Sequence, residues 1–494
     1  MTKHLDIDTK AMRAKILDLA IQGKLTDQRA EDGNAQDLLK DIQAEKEKLI
    51  KEQQIKKEKP LPEIEADEIP FEIPKNWMWA RWGTLSISIK YGYNTSAQKD
   101  GKIKMVRISD IQNNQVNWDS VPFCNIPKEE ITQYLLRKND ILFARTGGTV
   151  GKSYLVSEVP ENVVYAGYLI RTRYSEKLSP QYLKYFMESD LYWSQLKKGT
   201  TTTAQPNCNA KTLGKMVLPL PPLAEQKRIA DKVATLFAQL DAIDKAYEEY
   251  RELQQTMKAK LLDLAVQGKL TDQRAEDGDA RDLFNDIQKE KQRLIAEKKI
   301  KKEKPLPEIE ADEIPFEIPT NWMWARLGDI VSKTIKRGKS PKYSITGDVL
   351  VFAQKCNTKP GRINLELAKK LDLSTLKKYP EEEFMLSGDI VINSTGNGTM
   401  GRVGFFRDKD NPYNLKIVPD SHVTTIRVLH DLIDSQYIFY FLKKLQPKLE
   451  SSGDGSTNQK ELKATIIASI CIPLPPLDEQ KRIVAKLDEL LPLL

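Results

Sequence analysis

KILDLAIQGKLTDQRAEDG at residues 15–33 and EIPFEIPKNWMWARWG at residues 68–83 mark the two ends of a stretch that this chain carries twice. The second copy, residues 260–328, aligns without a gap and is about four-fifths identical. A shorter repeat, PLPPLAEQKRI at residues 219–229, returns as PLPPLDEQKRI at residues 473–483. We call these the long repeat and the short repeat. Because the segments between them barely resemble each other, the sequence predicts a near-identical scaffold that carries two different domains.

Length and composition indicate a multidomain globular protein. The 494 residues suffice for roughly two to four domains, each with its own core. The chain is 40% hydrophobic and 30% charged, and 77 Lys+Arg against 70 Asp+Glu give a formal net charge of +7. This mild excess permits a polyanionic partner without requiring one.

The cysteines and the hydropathy pattern predict a cytoplasmic protein with no membrane partner. No signal-peptide core follows the first residues, and no apolar run approaches the length of a membrane span. The cysteines lack the spacings typical of disulfide scaffolds and zinc sites, so we expect reduced thiols at Cys124, Cys208, Cys356 and Cys471.

A long helix is predicted after Pro221 and Pro222, over residues 223–267, with Gly268 as its stop. At a rise of about 1.5 Å per residue, this helix would exceed about 60 Å. Apolar residues follow each other in steps of four and three, a period typical of a helix that supercoils with a partner helix. The predicted seam is Ile229, Val233, Leu236, Leu240, Ile243, Tyr247, Tyr250, Met257, Leu261 and Leu264.

Taken alone, this periodicity also fits a single helix packed on a domain, or a homodimeric coiled coil. The repeats favour a third arrangement, because each chain end copies one half of the seam. At the N-terminus the copies are Met12, Ile16 and Leu19, and at the C-terminus Ile483, Leu487, Leu490 and Leu494. We therefore expect an α+β fold in which two α/β domains are joined by a long antiparallel helical (coiled-coil) spacer with pseudo-two-fold symmetry.

A second, charged helix is predicted in each long repeat, from Ala35 to about Glu58 and from Ala280 to about Glu303. Its usual interpretation is a solvated helix face. Its presence in two nearly identical copies favours a docking surface for two copies of one partner. The Pro-rich and acidic segment that follows predicts an extended connector.

The two variable segments, residues 84–218 and 329–472, have a mixed α/β character and share a faint plan. Asn139-Asp140-Ile141 with its Gly-rich loop parallels Gly388-Asp389-Ile390. One helix is predicted in each, at residues 180–189 and 435–444, and a polar loop before each short repeat, at residues 197–207 and 451–460. The expected domain boundaries are 1–75, 76–218, 219–320, 321–472 and 473–494.

No catalytic or metal site is predicted. Residues 146–153 nearly spell a phosphate-binding loop, but Thr146 replaces its first glycine and a strand-like run follows. Residues 396–401 fit G-x-G-x-x-G without the expected acidic partner. His4, His422 and His430 are the only histidines, and none has triad or metal-ligand spacing.

The variable segments instead carry Arg, Lys, Asn, Gln and Thr on Gly-rich loops, which suits a surface that reads bases and holds phosphates. Any one of these residues alone is better explained as an ordinary surface residue; their clustering in both segments is the signal. In the first segment the candidates are Lys90, Tyr91, Tyr93, Arg107, Asn113, Arg145, Thr146, Lys152, Lys197, Lys198, Thr200, Gln205 and Asn207. In the second they are Lys336, Arg337, Lys339, Lys355, Asn357, Arg362, Asn393, Ser394, Asn397, Arg402, Ser456, Asn458, Gln459 and Lys460.

Over nearly its whole length the chain resembles the specificity subunits of type I restriction-modification systems. The resemblance rests on PLPPLxEQKRI, LDLAxQGKLTDQ and EIPFEIPxNWxWARxG in combination. It implies two target-recognition domains that each read half of an asymmetric bipartite DNA site, and no catalytic residue. It also implies two docked methyltransferase subunits and further restriction (motor-nuclease) subunits. S-adenosylmethionine, ATP and magnesium would belong to those partners.

Two other functional classes remain as alternatives. The variable domains of a protein-binding scaffold would grip two polypeptides instead of DNA. A stand-alone methyltransferase or nuclease is disfavoured by the missing motifs. The C-terminal copy of the seam stops at Leu494, short of the central one, which departs from a fully paired spacer.

Overall fold

A computed structural model describes residues 7–200, 207–359, 362–396, 398–452 and 461–494. The chain divides into two compact units, Lys3–Glu248 and Glu249–Leu494, which we call the N-terminal and the C-terminal unit. Each unit contains one copy of the long repeat, one variable segment and one copy of the short repeat. The boundary between the units falls within the 44-residue helix α8, Leu223–Val266.

The N-terminal unit contains two long runs of strands, with its helices before, between and after them. Its helices before α8 are α1 Thr9–Ile21, α2 Ala35–Lys51, α3 Trp82–Leu85, α4 Lys128–Tyr134, α5 Pro180–Phe186, α6 Asp190–Gly199 and α7 Ala210–Lys215. Its strands are β1 Met78–Arg81, β2 Ser86–Tyr91, β3 Ile103–Val106, β4 Ile111–Gln112, β5 Gln115–Val116, β6 Phe123–Cys124, β7 Ile141–Ala144, β8 Ser153–Leu155, β9 Val163–Tyr165, β10 Leu169–Tyr174 and β11 Val217–Leu220.

The C-terminal unit has a related but not identical order of elements. Its helices after α8 are α9 Ala280–Ala296, α10 Ser435–Ser451, α11 Ala464–Ala468 and α12 Leu477–Leu490. Its strands are β12 Met323–Arg326, β13 Lys336–Arg337, β14 Tyr343–Ser344, β15 Val349–Phe352, β16 Lys369–Leu371, β17 Ile390–Asn393, β18 Val403–Phe405, β19 Lys416–Pro419, β20 Val423–Ile426 and β21 Cys471–Leu474.

Both variable segments are built on the same sheets, as their faint common plan predicts. An antiparallel sheet has the order β2-β10-β7-β8 in the N-terminal unit and β13-β20-β17-β18 in the C-terminal unit. A second sheet is β6-β3-β9 in one unit and β14-β16-β15-β19 in the other, and in each case one strand pair is parallel. The prediction of two α/β domains and a long helix within an α+β fold is therefore confirmed.

The repeats hold the two ends of each variable segment together. Strand β1, from the long repeat, pairs antiparallel with β11, with Met78 opposite Leu220. Strand β12 pairs with β21 in the same register, with Met323 opposite Leu474. Because entry and exit are paired through repeated residues, the segment between them can change without moving its attachment.

A buried carboxylate joins three separate parts of the repeats in each unit. Glu225, in the first turn of α8 and fully buried, accepts hydrogen bonds from Trp77 Nε1 at 2.7 Å, Gln28 Nε2 at 2.7 Å and Thr26 Oγ1 at 3.3 Å. Glu479, at the start of α12, accepts the same three bonds from Trp322, Gln273 and Thr271. Burial raises the pKa of Glu225, and the three donors offset part of that shift. We call each set of four residues a carboxylate clamp.

The neighbouring residues of the short repeat make the remaining connections. Arg228 forms two hydrogen bonds with Asp32, at 2.6 and 2.7 Å, and its pKa is raised chiefly by these bonds. The buried Gln226 accepts from Ser179 N at 2.9 Å and so holds the start of α5. Arg482 with Asp277, and Gln480 with Asp434 N, repeat these contacts in the C-terminal unit. The short repeat therefore ties the scaffold to the variable domain.

Helix α1 lies antiparallel to the first part of α8 within the N-terminal unit. Arg13 donates to Asp241 at 2.8 Å and to Asp244 at 3.0 Å, and Leu17 shares a core with Ile229 further back along α8. In the C-terminal unit the end of α8, Ala265 and Val266, shares a core with side chains of α12, namely Ile483, Val484 and Leu487. Each chain end therefore packs within the core that contains its own part of α8.

Along α8 the predicted seam residues differ in burial. Near the ends of the helix, Ile229, Val233 and Leu240 are buried and Leu236, Leu261 and Leu264 are half-buried. In the middle, exposure reaches 37–48% for Ile243, Tyr247, Tyr250 and Met257. A supercoiled seam over this middle part stays a prediction.

The predicted ends of both charged helices and the predicted starts of both polar loops are wrong. The charged helices α2 and α9 end at Lys51 and Ala296, not near Glu58 and Glu303. Gln53 and Lys298 take a left-handed backbone, with φ of 58° and 56°, which ends each helix without a glycine. The polar loops also start later than expected, because Lys197 and Lys198 belong to α6 and Ser451 to α10.

The four cysteines, all within the described residues, form no disulfide. Within the described ranges, none of the helices combines the length and the apolar character that crossing a membrane requires.

The carboxylate clamp gives a stability prediction. We expect Glu225→Gln to lower the free energy of unfolding of the N-terminal unit by about 1–3 kcal/mol, because the new amide NH2 would face a buried donor. Urea unfolding followed by tryptophan fluorescence measures the change. Glu479→Gln is the matched variant and should destabilise the C-terminal unit by a similar amount.

Comparison of wild type with Glu225→Gln also tests how the stability of the N-terminal unit depends on pH. Since burial raises the pKa of Glu225, this group contributes stability that is full below its ordinary pKa of 4.5 and declines as the pH rises through the raised value. Glutamine does not titrate, so the stability difference between wild type and Glu225→Gln should narrow from pH 4.5 towards neutrality. If the stability difference between the two proteins instead widens as the pH rises, burial is not the main cause of the pKa shift of Glu225.

Candidate nucleic-acid interface

A buried ion pair anchors the central strand under each predicted loop. Asp140, just before β7, accepts from Arg173 Nε at 2.8 Å and from the amide of Arg137 at 2.9 Å. Asp389, just before β17, accepts from both Nε and an NH2 of Arg427 at 2.7 Å. The residue preceding each aspartate has a left-handed backbone, which asparagine at one position and glycine at the other tolerate. These bonds explain why the Asp-Ile motif appears in both segments.

In the N-terminal unit, the loop after β7 connects five polar or aromatic residues. The Arg145 guanidinium lies over the Tyr91 ring, 4.6 Å from its centroid. The backbone of Thr146 bridges to Asn207, and the Arg145 amide donates to the carbonyl of Tyr168 at 3.1 Å. Tyr91 and Tyr168 are exposed, by 40% and 63%. We call this cluster the N-terminal loop site.

The loop after β17 forms an equivalent site from different side chains. The Ser394 amide donates to the carbonyl of His422 at 2.8 Å, as Arg145 does to Tyr168, and Thr395 bridges to Glu461 as Thr146 does to Asn207. Thr395 Oγ1 also lies 2.6 Å from His422 Nδ1. Arg337, which ends β13 as Tyr91 ends β2, pairs with Glu461 at 3.1 Å. We call this cluster the C-terminal loop site.

Three candidates of the second segment lie beneath the surface, which corrects their grouping with surface residues. Asn357, Asn393 and Ser394 are fully buried. Asn357 Nδ2 donates to the Arg402 carbonyl at 3.0 Å, and Ser394 Oγ lies 2.6 Å from Thr424 Oγ1. Their hydrogen bonds hold the loop in shape. Arg402 is half-buried and donates to the carbonyls of Asn357 and Gly398.

A lysine cluster in the C-terminal unit surrounds one buried carboxylate. Glu383 pairs with Lys336 at 2.6 Å, Lys333 at 3.7 Å and Lys339 at 3.9 Å. Burial raises the pKa of Glu383, but the lysines outweigh it and the net shift is downward. Two of the predicted candidates, Lys336 and Lys339, are thus partly neutralised within the chain.

A cavity of about 220 Å³ opens beside the C-terminal loop site. It is lined by Tyr343, Ala353, Gln354, Lys355, Lys369, Asp420 and His422. Burial raises the pKa of the Asp420 carboxyl, which accepts from the His422 amide at 2.8 Å. The lining is polar and basic, as expected of a surface that meets a polyanion.

Other candidates are scattered around the two domains. Lys90, Asn113, Lys152, Lys197, Lys198, Lys355 and Arg362 are exposed. Tyr93 lies 5.3 Å from Tyr134 between ring centroids, Arg107 pairs with Asp110 at 2.7 Å, and Thr200 donates to the Leu196 carbonyl. Outside the described residues lie Gln205, Asn397, Ser456, Asn458, Gln459 and Lys460.

Sequence reasoning missed three members of the loop sites: Tyr168, His422 and Glu461. Each is brought to the loop by backbone pairing with a distant strand or segment. Only Tyr168 had a local signal, an aromatic residue after Gly167 at the start of a strand.

Comparison with known proteins assigns the family. Residues 89–250 and 319–492, together more than half of the chain, match the model of the type I restriction modification DNA specificity domain. The chain belongs to this family. It is therefore a specificity subunit, the non-catalytic part of a type I restriction-modification system that recognises DNA target sites. The described side chains contain no cluster of His, Cys, Asp or Glu arranged to hold a metal ion.

Relatives match the specificity subunit over most of its length. It is 26% identical to the type I restriction enzyme EcoEI specificity subunit of Escherichia coli, covering 97% of this chain and 88% of that protein. The EcoAI specificity subunit of the same organism is 27% identical over 98% and 89%. A solved structure on the complex assembly and conformational transition of the type I R-M system has the same fold, with a TM-score of 0.53, 21% identity and coverage of 85% and 91%.

The anchoring ion pairs give a second prediction. Arg427→Ala leaves the fully buried Asp389 without its charged partner, and we expect it to destabilise the C-terminal unit by about 3–5 kcal/mol. The matched change Arg173→Ala should cost less, because Arg171 remains 4.0 Å from Asp140. Urea unfolding measures both. A larger loss for Arg173→Ala would contradict this assignment.

Proposed function

We propose that the variable domain of each unit reads one half of an asymmetric, bipartite site in duplex DNA. The observation that carries the proposal is the pair of loop sites, which share their backbone pairings and differ in nearly every side chain. To read two different base sequences, two such sites need the same backbone geometry and different side chains. In this proposal the recognition domains span residues 76–218 and 321–472, and the chain works in the cytoplasm, where it meets DNA.

We propose further that the repeated scaffold docks two methyltransferase subunits, and that restriction subunits join the larger complex. Support comes from α2 and α9, which are both 17 residues long, bury equivalent positions and leave a charged face exposed in each unit. S-adenosylmethionine, ATP and magnesium would then be bound by those partners and not by this chain.

The unrepeated middle of α8, residues 241–254, is the proposed ruler for the gap between the half-sites. Side chains here are mostly exposed, so the length of this part is not set by a surrounding core. In this proposal the length of the helix limits how far apart the two recognition surfaces lie. In dimeric DNA-binding proteins, the spacing of the modules sets the half-site spacing in the same way.

Exchange of one variable segment tests modular reading. Replacing residues 84–218 with the corresponding segment of another specificity subunit should change one half of the methylated site and leave the other half unchanged. Modified-base sequencing of DNA from cells that express the chain with its methyltransferase gives both halves. Changes in both halves would contradict modular reading.

Deletion within the helix tests the ruler. Removing whole helical turns from residues 241–254 should change the length of the unspecific gap while both half-sites stay the same. The matched control substitutes alanine over an equal number of these positions, which keeps the length and should keep the gap. An unchanged gap in the deletion variant would show that the helix does not set the distance.

The competing function is a protein-binding scaffold. Retention of duplex DNA by the chain with its methyltransferase should be sequence-selective and should weaken steeply with salt, since phosphate contacts release counterions. Retention that ignores sequence and salt would favour the scaffold instead.

A further inference from the structure

The N-terminal loop site holds a cationic side chain that finds no acceptor. Among the described residues, the Arg145 guanidinium has no hydrogen bond or ion pair, and its Nε is buried and unpaired. Tyr91 holds it in place from one side, and the Tyr91 hydroxyl is in turn held by the amide of Ala210 at 3.0 Å. The donors of Arg145 are therefore positioned before any ligand arrives.

Several other arginines of the two domains have acceptors within the chain. Arg173 and Arg427 pair with buried aspartates, and Arg337, in the equivalent C-terminal loop site, pairs with Glu461. The position equivalent to Arg145 is Ser394, which is buried and hydrogen bonded. Because half-buried donors are normally satisfied, the unpaired guanidinium points to an acceptor supplied from outside.

Gly148 leaves open space beside the backbone of the loop. Its φ lies outside the left-handed region, and a Cβ placed on it would meet no atom within 4 Å. Nothing in the described chain therefore requires glycine at this position, unlike Gly147, whose φ is +74°. A bound molecule that approaches the turn closely would require it.

We propose that Arg145 reads a guanine in the major groove of the half-site bound by the N-terminal unit. Guanine presents O6 and N7, two acceptors that match the planar arginine fork. Gly148 leaves room for the DNA strand. This inference rests on the proposed function and adds to it the base pair that one loop site selects.

Modified-base sequencing tests the assignment with the full chain and its methyltransferase partner. Wild type should methylate a site with a fixed G·C pair in the half read by the N-terminal unit. In Arg145→Ala, which removes the donors to guanine, discrimination at that one pair should fall by about tenfold or more, while every other position stays fixed. Arg337→Ala is the matched control in the C-terminal unit and should leave that G·C pair fixed.

Gly148→Ala is the second variant and has no folding strain of its own. It should lower methylation of the site and retain the recognised bases, with the same urea midpoint as wild type. If Gly148→Ala methylates the site as well as wild type does, the DNA does not approach this turn closely.

Two results would overturn the reading of guanine by Arg145. One is an unchanged G·C preference in Arg145→Ala. The other is a contact to phosphate, which would appear in Arg145→Ala as equal weakening on all sequences and a salt slope reduced by about one. A wild-type chain that directs methylation to no bipartite site at all would instead overturn the proposed function.

Discussion

The buried carboxylate at the start of the short repeat is the constraint on which each unit depends. Glu225 loses its hydration completely, and only the donors of Thr26, Gln28 and Trp77 replace it. A buried charge without such donors would cost several kcal/mol. Three stretches distant in sequence must therefore meet at one point for the unit to fold. Glu479 imposes the same condition on the C-terminal unit, which accounts for the near-identity of the repeats at these residues.

This constraint frees the variable segments to diverge. The clamp, the β1–β11 pairing and its β12–β21 counterpart fix where each segment enters and leaves. Inside the segments the same sheet order is kept by one ion pair each, Asp140 with Arg173 and Asp389 with Arg427. The loops beyond these anchors carry no part of the scaffold. Their side chains can therefore change with the DNA sequence to be read while the stability of the unit is preserved.

The sequence predicted what depends on local periodicity or on repetition, and missed what depends on distant pairing. The long helix and the strands after Asp140 and Asp389 follow from apolar spacing, and the structure contains them. The ends of α2 and α9 were wrong because Gln53 and Lys298 adopt a left-handed backbone that their residue types do not announce. Burial of Asn357, Asn393 and Ser394, and the presence of Tyr168, His422 and Glu461 in the loop sites, come from strand pairing between residues far apart.

The two loop sites also differ in the interactions within the chain that a ligand must break in order to bind. In the N-terminal loop site the donors of Arg145 have no competing acceptor in the described chain, so a guanine edge gains their hydrogen bonds without breaking any. In the C-terminal loop site Arg337 is already paired with Glu461, and in the separate lysine cluster of the same unit Lys336 and Lys339 are paired with Glu383. A base or phosphate must compete with these carboxylates before it gains a cation. If this site binds DNA as proposed, a base that offers Glu461 a donor, such as a cytosine or adenine amino group, while it accepts from Arg337 would lose the least from this competition.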